Sequence, residues 1–257
     1  MQDCIERAVE FVHDGRHVRG RLFLPAGEGP HPAVIMAHGF GGNMSHAELA
    51  AAPFAAAGFA TCAFDFCGGR GSTSDGATTT RSVLTEAADL TAILDGIRTF
   101  PDINANAIFF LGISEGGFVS TYVAAARPDD VAGLALLFPA YCLQDDARAR
   151  KAAYGQAGLP ETEEVMGITL GRIYIEDALS FDIFACMPCY PGPVLIQHGT
   201  ADTLVDISYS RRAVRAFPQA KLVEVEGAGH GFREPAGVRE EAYARALAFM
   251  RECLDAN

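Results

Sequence analysis

Six short apolar segments, separated by stretches with helical periodicity, restrict the possible folds of this chain more than any other feature. Each segment is rich in β-forming residues and nearly continuous in hydrophobicity, as expected for strands buried on both faces of a parallel sheet. They occupy residues 33–38, 60–66, 107–112, 132–138, 194–198 and 221–226. Alternating strands and helices imply right-handed crossovers, so the sequence predicts an α/β fold with a doubly wound, mostly parallel sheet.

Local signals predict the other elements. Two strand-like segments flank the turn signal "HDGR" at residues 13–16 and predict an N-terminal β-hairpin. Ser45 and Glu48 predict a capping box for a helix through residues 50–57. Further helices are predicted over residues 83–97, from Glu115 onwards, over 207–217 and over 238–254.

The segment from Pro139 to Pro193 interrupts this alternation. It holds over fifty residues where one crossover helix would suffice, and a structureless loop of that length is uncommon in a compact domain. We therefore predict one domain over residues 1–257 with a small lid or cap inserted at residues 139–193. The expected place for the insertion is above the carboxyl ends of the strands, where open α/β sheets bind ligands.

Charge and hydropathy narrow the possible partners. The net charge is −12 and no dense run of Lys or Arg occurs, which argues against a nucleic-acid or anionic-membrane surface. The first residues lack the apolar core of a signal peptide, and no apolar stretch is long enough to span a bilayer. We expect a cytoplasmic protein with a small-molecule ester substrate. The sequence leaves a homodimer as an alternative to a monomer.

The seven cysteines are scattered, and their odd number fits no complete disulfide framework. Only Cys186 and Cys189, in "CMPC", have metal or redox spacing, and no second Cys pair or His accompanies them. We interpret this spacing as coincidence, and the sequence implies no metal or organic cofactor.

Ser114 stands between two glycines, directly after the strand predicted over residues 107–112. In the pattern Gly112-x-Ser114-x-Gly116 the glycines allow a sharp strand-to-helix turn that lifts the serine hydroxyl clear of the sheet. The helix that follows offers unpaired N–H groups, which favour developing negative charge. Alone, the pattern fits a structural turn; with a strand before it and a helix after it, a nucleophile is favoured.

A serine nucleophile needs a base to take its proton and an acid to orient that base. His230 in "GAGHGF" follows the last strand, and Asp202 in "HGTADTLV" follows the strand that ends at His198. Serine, aspartate and histidine then occur in the chain order that α/β hydrolases use. Asp206, four residues further on, is the alternative acid.

Acyl transfer also requires an oxyanion hole with two backbone donors. The N–H of Glu115, directly after the candidate nucleophile, is one expected donor. The second is the N–H of Phe40 in the glycine-rich stretch "HGFGGN" at residues 38–43. An ordinary loop is the alternative interpretation of that stretch.

The motifs "HGFGGN", "FDFCGGRGS", "GISEGG", "HGTADTLV" and "GAGHGF", taken in order, resemble the serine α/β hydrolases. They are most similar to the bacterial cinnamoyl (feruloyl) esterases. The resemblance implies an α/β-hydrolase fold and a serine carboxylic-ester hydrolase that acts on small or aromatic acyl esters through an acyl-enzyme. It also implies that an acidic residue and a tyrosine of the insertion, here Asp146 and Tyr174, contact the phenolic end of the substrate. As plain sequence, these would be a solvated charge and a core aromatic residue.

Two positions depart from the pattern of those esterases. Glu115 stands where glutamine is typical, and Cys67 and Arg70 lie in "CGGRG", where the family has a histidine. A carboxylate beside an oxyanion hole opposes the charge that forms there. We therefore predict that Glu115 faces outward at the first turn of its helix or pairs with a cation such as Arg70.

The same catalytic apparatus also serves thioesterases, acyltransferases, lactonases and serine peptidases. A further alternative is a ligand-binding protein without catalytic activity, because fold alone does not fix function. Such proteins usually lack a member of the triad, whereas all three candidates are present in this sequence.

Overall fold

The computed structural model describes the backbone of residues 4–256 and the side chains in that range except those of residues 46–49. The strands of this part of the chain are β1 (Ile5–His13), β2 (Arg16–Leu24), β3 (His31–Ala37), β4 (Ala60–Phe64), β5 (Ile103–Ile113), β6 (Gly133–Leu137), β7 (Thr162–Val165), β8 (Ile168–Gly171), β9 (Val194–Gly199) and β10 (Ala220–Val225). The helices are α1 (Ser45–Ala56), α2 (Val83–Ile97), α3 (Glu115–Ala126), α4 (Leu143–Tyr154), α5 (Ile173–Ala178), α6 (Ile183–Cys186), α7 (Ser208–Ala216) and α8 (Val238–Asp255).

Eight strands form one sheet in the order β1-β2-β4-β3-β5-β6-β9-β10. The pairings from β4 to β10 are parallel, whereas β2 pairs antiparallel with β1 and with β4. The hairpin turn between β1 and β2 uses Asp14 and Gly15, both with positive φ (48° and 72°), as a two-residue hairpin turn requires. The predicted α/β sheet with an N-terminal hairpin is confirmed.

Strand β3 illustrates why the apolar segments are continuous. Ala33, Ile35 and Ala37 face a core cluster that includes side chains of α2 and α3. Val34 and Met36 face a second cluster on the other side of the sheet, which includes α1 and α8. Because successive side chains point to opposite faces, a strand covered on both faces is apolar at every position.

The predicted capping box is wrong in placing Ser45 at the N-cap, and the side chain of its second residue, Glu48, lies outside the described residues. The N-cap position of α1 is Met44, without a side-chain cap, and Ser45 is the first helical residue. The Met44 amide donates to Asp65 Oδ1 at 2.6 Å, and the Ser45 hydroxyl donates to Asn43 Oδ1. The chain therefore enters the helix before Ser45 can act as its cap. A capping box does begin α2, where the hydroxyl of Ser82 accepts the Thr85 amide.

The segment between β6 and β9 folds into α4, the antiparallel hairpin of β7 and β8, α5 and α6. It contacts the turn before α2, where the Thr78 hydroxyl donates to the Thr169 carbonyl oxygen at 2.5 Å and Ser82 donates to Asp177. The limits of an inserted cap at residues 139–193 stay a prediction. Within residues 4–256, no helix combines the length and apolar character needed to cross a membrane.

Candidate active site

Ser114 occupies a strained turn between β5 and α3. Its φ is 53° and its ψ is −117°, a combination that side-chain-bearing residues rarely adopt and that often marks functional sites. Gly116 is required there, because a Cβ at this position would lie 2.2 Å from the carbonyl oxygen of Ala37. The glycine pattern around Ser114 is thus explained by the close approach of α3 to the end of β3.

The three candidate triad residues come together at the carboxyl ends of the parallel strands. His230 Nε2 lies 3.1 Å from Ser114 Oγ, and His230 Nδ1 lies 2.8 Å from Asp202 Oδ2. Asp202 follows β9 and His230 follows β10. The ring of Phe138, which follows β6, packs edge-on against the imidazole with centroids 4.6 Å apart. Serine, imidazole and carboxylate therefore form one continuous chain of hydrogen-bonding atoms.

The Asp202 carboxylate is buried, and hydrogen bonds reach both of its oxygens. We call Asp202 and the groups that donate to it the Asp202 cluster: the amides of Leu204 and Val205 at Oδ1, and His230 and His198 at Oδ2. Burial opposes ionisation of Asp202, but these hydrogen bonds outweigh it and hold the carboxyl pKa below its ordinary value. Asp202 is therefore an ionised acceptor at neutral pH.

The alternative acid, Asp206, lies elsewhere. It is exposed, and its Oδ1 accepts the Ser208 amide at 2.8 Å at the start of α7.

His198 is a member of the Asp202 cluster that the sequence did not single out. It is fully buried, its Nε2 lies 2.9 Å from the Val205 carbonyl oxygen and 3.2 Å from Asp202 Oδ2, and its Nδ1 lies 2.7 Å from Ser210 Oγ. A carbonyl oxygen can only accept, so Nε2 donates to it. The signal that could have revealed this residue is its position at the end of a buried strand, four residues before Asp202.

The loop after β3 brings Gly39, the residue before Phe40, next to Ser114. A Cβ on Gly39 would lie 3.0 Å from Ser114 Cβ, so a larger residue would require one of the two to shift. Among the described residues, no group accepts a hydrogen bond from the amide of Phe40 or of Glu115. Both amides are therefore available to an oxyanion, and their role as oxyanion-hole donors stays a prediction.

The environment of Glu115 corrects the sequence-based expectation. Its side chain is 1% exposed, so it does not face outward, and the cation beside it is Arg81 rather than the exposed Arg70. The reason is tertiary: Arg81, in the turn before α2, and Tyr174, on α5, cover the first turn of α3. We call these residues the Arg81 cluster: Arg81, Glu86, Glu115 and Tyr174.

Within the Arg81 cluster, one guanidinium nitrogen, Nη2 of Arg81, contacts both Glu86 Oε1 and Glu115 Oε2. The Tyr174 hydroxyl donates to Glu115 Oε1 at 2.8 Å. Burial raises the pKa of the Glu86 carboxyl well above its ordinary value, and the nearby Glu115 carboxylate adds to this rise. The attraction of Arg81 lowers the pKa but does not cancel the rise.

The other predicted positions differ in their burial and partners. Asp146 is exposed on the first turn of α4, and Tyr174 is buried with its hydroxyl on Glu115; contact of either with substrate stays a prediction. Cys67 is buried beside Asp89, and burial with that carboxylate raises the pKa of its thiol to about 12. Neither Cys186 nor Cys189 belongs to a metal-binding group of three or more side chains in the described part of the chain.

Residues 28–176, more than half of the chain, match the family model Hydrolase_4, described as serine aminopeptidase, S33. The chain belongs to this family. It is thus a member of the serine α/β-hydrolase superfamily, as the motifs predict. Over 84 residues, this hydrolase is 36% identical to polyketide synthase ThaQ from Burkholderia thailandensis. That match covers 32% of this chain and only 4% of the length of the synthase.

Solved structures show the same fold. The hydrolase superimposes on the solved structure of Est1E from Butyrivibrio proteoclasticus with bound ferulic acid, with a TM-score of 0.87 and 24% sequence identity. The match covers 96% of this chain and 100% of that one. Alpha/beta hydrolase domain-containing protein 10 from mouse gives a TM-score of 0.75 at 19% identity, covering 97% and 99% of the two chains. The predicted α/β-hydrolase fold is confirmed.

Proposed function

We propose that this hydrolase is a serine carboxylic-ester hydrolase acting on small or aromatic acyl esters. The observation that carries the proposal is the chain of hydrogen-bonding contacts from Ser114 Oγ through His230 to the buried, ionised carboxylate of Asp202. An alcohol becomes nucleophilic when an oriented imidazole takes its proton as it attacks.

In the acylation step Ser114 Oγ attacks the ester carbonyl carbon while its proton moves to His230 Nε2. The carbonyl electron pair moves onto oxygen, and the amides of Phe40 and Glu115 donate to that oxyanion. Collapse of the tetrahedral intermediate breaks the bond to the leaving alcohol, which takes the proton from His230. Asp202 holds the ring through Nδ1 in both steps.

Deacylation repeats these steps with water in place of the alcohol. His230 takes a proton from water, whose oxygen attacks the acyl-enzyme, and it returns the proton to Ser114 Oγ as the acid departs. Every proton that leaves a nucleophile returns to a leaving group, so the triad is regenerated after each turnover.

Apolar side chains near the site support an apolar acyl group. Leu143 on α4 belongs at once to a cluster with Phe40 and Ile168 and to a second cluster with Cys142 and Val205. Through Leu143 the two clusters connect Phe40, in the loop after β3, with Val205, in the loop that follows Asp202. The likeness to a ferulic acid complex adds support for an aromatic acyl group.

Release of p-nitrophenol from p-nitrophenyl butyrate tests the proposal. We expect turnover by the wild-type protein and a loss of about 10⁴-fold or more in kcat for Ser114→Ala. The matched control is Ser120→Ala, because Ser120 lies buried on the adjacent helix and its hydroxyl has no partner among the described residues. Equal turnover by wild type and Ser114→Ala contradicts the proposal.

A second candidate, a serine aminopeptidase, is favoured by the family description and by one feature of the insertion. Asp146 presents an exposed carboxylate on α4, which could pair with a substrate α-amino group. The two functions are distinguished by comparing an aminoacyl p-nitroanilide with p-nitrophenyl butyrate. An aminopeptidase cleaves the anilide with a kcat/KM that drops in Asp146→Asn, whereas an esterase leaves the anilide intact.

A further inference from the structure

The two residues proposed to form the oxyanion hole have side chains that meet at one place. The Phe40 ring lies under the guanidinium of Arg81, 5.0 Å from Cζ to the ring centroid, and meets the Tyr174 ring edge-on at 6.0 Å. The Glu115 carboxylate contacts the same two partners, Arg81 through Oε2 and Tyr174 through Oε1. Arg81 and Tyr174 therefore hold the side chains of both proposed amide donors.

The charges in this cluster give Arg81 a second effect. Glu115 is buried directly after the nucleophile, where an unbalanced negative charge would oppose an oxyanion. Arg81 is equally buried and contacts that carboxylate. Burial raises the pKa of the Glu86 carboxyl well above its ordinary value, which favours the neutral form of Glu86 and leaves Arg81 as the cation in contact with Glu115. The guanidinium charge then balances Glu115.

Tyr174 connects this arrangement to the segment between β6 and β9. It lies on α5, and the same helix accepts a hydrogen bond from Ser82 through Asp177. A second hydrogen bond between the segment and the turn before α2 involves β8, whose Thr169 carbonyl oxygen accepts from the Thr78 hydroxyl. Displacement of α5 would therefore take the Tyr174 hydroxyl away from the first turn of α3.

We propose that Arg81 and Tyr174 are positioning residues that fix both oxyanion-hole amides, so that catalysis depends on the seating of α5. The Tyr174 hydroxyl then serves Glu115 and does not bind the phenol of a substrate. This inference rests on the proposed function, because it assigns a task in the same reaction. Its physical basis is that oxyanion donors act only within a few tenths of an ångström of their ideal positions, and that displacements of about 1 Å cost about 10²-fold.

The competing role for Tyr174 is a hydrogen bond to a substrate phenol, and it uses the Tyr174 hydroxyl differently. The hydroxyl has one proton, which is given to a buried carboxylate. A phenol that accepts this proton must take it from Glu115, leaving a buried charge short of a donor, whereas a phenol that donates to the Tyr174 oxygen gains a contact that only a hydroxylated ester can make. The two roles therefore predict different substrate dependence for a Tyr174→Phe variant.

The first experiment compares p-nitrophenyl cinnamate with p-nitrophenyl 4-hydroxycinnamate as substrates of wild type and Tyr174→Phe. We expect kcat to fall about tenfold for both esters, with KM and the ratio between the two esters unchanged, because the lost contact acts through Glu115. If the variant instead loses a preference for the hydroxylated ester and keeps its kcat on cinnamate, Tyr174 is a substrate-binding residue and the inference is wrong.

Tyr190→Phe is the matched control. Tyr190 is a fully buried tyrosine of the same segment, and its hydroxyl donates to the Val131 carbonyl oxygen at 3.1 Å, at the amino end of β6. We expect this variant to unfold at a lower temperature while its kcat stays at the wild-type value. A parallel loss of kcat in both variants would mean that Tyr174 acts only through stability, which overturns the inference.

The second experiment is a double-mutant cycle with Glu115→Gln. If Tyr174 acts through the Glu115 charge, Tyr174→Phe should cost less than about threefold in kcat when residue 115 is neutral. Additive losses contradict the inference, because they make the two residues independent.

Labelling of Ser114 by a fluorophosphonate, followed by intact mass, separates this inference from the proposed function. A wild type that is labelled but hydrolyses no ester refutes the esterase proposal, and labelling rates of the same variants then test the positioning role. A wild type that is neither labelled nor active refutes both.

Discussion

Asp202 and Glu115 each place a buried carboxylate beside the candidate nucleophile, but their partners differ in kind. Asp202 receives hydrogen bonds at both oxygens from backbone amides and imidazole N–H groups. Glu115 shares one guanidinium with a second carboxylate, and three buried atoms of that cluster have no partner among the described residues: Arg81 Nε, Arg81 Nη1 and Glu86 Oε2. The first cluster spreads its stabilisation over four donors, whereas the second depends on one cation.

The two clusters should therefore respond differently to the loss of one partner. A carboxylate with several donors keeps its charge when one donor is lost, and its failure appears first in the chemistry of the histidine that it orients. A buried guanidinium between two carboxylates has no substitute, and its removal leaves uncompensated charge in the interior. We therefore expect substitutions in the Asp202 cluster to affect mainly kcat, and substitutions in the Arg81 cluster to affect stability as well.

The largest expected effect is that of Asp202→Asn. The amide cannot accept the His230 Nδ1–H in the same way as a carboxylate, so the imidazole loses its orientation and its charge partner. We expect kcat on p-nitrophenyl butyrate to fall by about 10⁴-fold, with a thermal midpoint close to that of wild type.

Asp206→Asn is the control for that prediction, because Asp206 is exposed and contacts only the start of α7. Its kcat should match that of wild type. Comparable losses in the two variants would contradict the assignment of Asp202 as the orienting acid.

The difference between the Asp202 cluster and the Arg81 cluster also explains which parts of the site could be predicted from the sequence. Ser114, Asp202 and His230 each follow a strand of the parallel sheet, and strand ends are visible as the ends of apolar runs. Their convergence follows from topology, since the carboxyl ends of parallel strands meet at one edge. The parallel sheet and the position of the candidate triad at the carboxyl ends of its strands could thus be predicted from local patterns, whereas the order of the strands was not predicted.

The Arg81 cluster could not be predicted in this way. Its members come from the turn before α2, from α2, from α3 and from α5, and no sequence pattern relates these four places. Arg81 stands in "TTTRSV" with no pattern that marks it, and the sequence-based prediction named Arg70 as the partner of Glu115. Only the packing of α5 over the first turn of α3 decides between them. Similarly, Ser45 failed as a helix cap because a distant residue, Asp65, fixes the chain just before it.

The second prediction concerns Arg81→Met. Two buried carboxyl groups then lose the one cation that contacts them in the described part of the chain, and removal of one partner from a buried ionic cluster typically costs about 3–5 kcal/mol. We expect the free energy of unfolding in urea to fall by that order. The triple variant R81M/E86Q/E115Q should recover much of the loss, because it leaves no buried charge.

Arg211→Met serves as the comparison, since Arg211 pairs with Glu224 on the surface. Its urea midpoint should stay close to that of wild type, because exposed ion pairs contribute little. If Arg81→Met were as mild as Arg211→Met, the Arg81 cluster would not depend on its cation.

The third prediction uses the opposite pKa shifts of the two clusters. The Glu86 pKa is raised in the folded state, so its contribution to stability is full below the ordinary glutamate pKa and is lost as pH rises through the folded value. The Asp202 pKa is lowered, so its contribution is present above the ordinary aspartate pKa and is lost as pH falls through the folded value.

Glu86→Gln isolates the first of these contributions, because glutamine has no proton to lose. As pH rises above the ordinary glutamate pKa of about 4.3, we expect the thermal midpoint of the variant to rise relative to that of wild type. Parallel curves for the two proteins would show that Glu86 does not titrate in this pH range.

The smallest expected effect is that of Ser210→Ala, which reaches Asp202 only through His198. The Ser210 hydroxyl lies 2.7 Å from His198 Nδ1 and fixes the ring that donates from Nε2 to Val205 and Asp202. Loss of one such contact costs about 1 kcal/mol, so we expect a decrease of about fivefold in kcat with KM unchanged. Ser208→Ala, on the exposed side of the same helix, should keep the wild-type kcat. A loss near that of Asp202→Asn would mean that Asp202 depends on a single donor, and the contrast with the Arg81 cluster would then disappear.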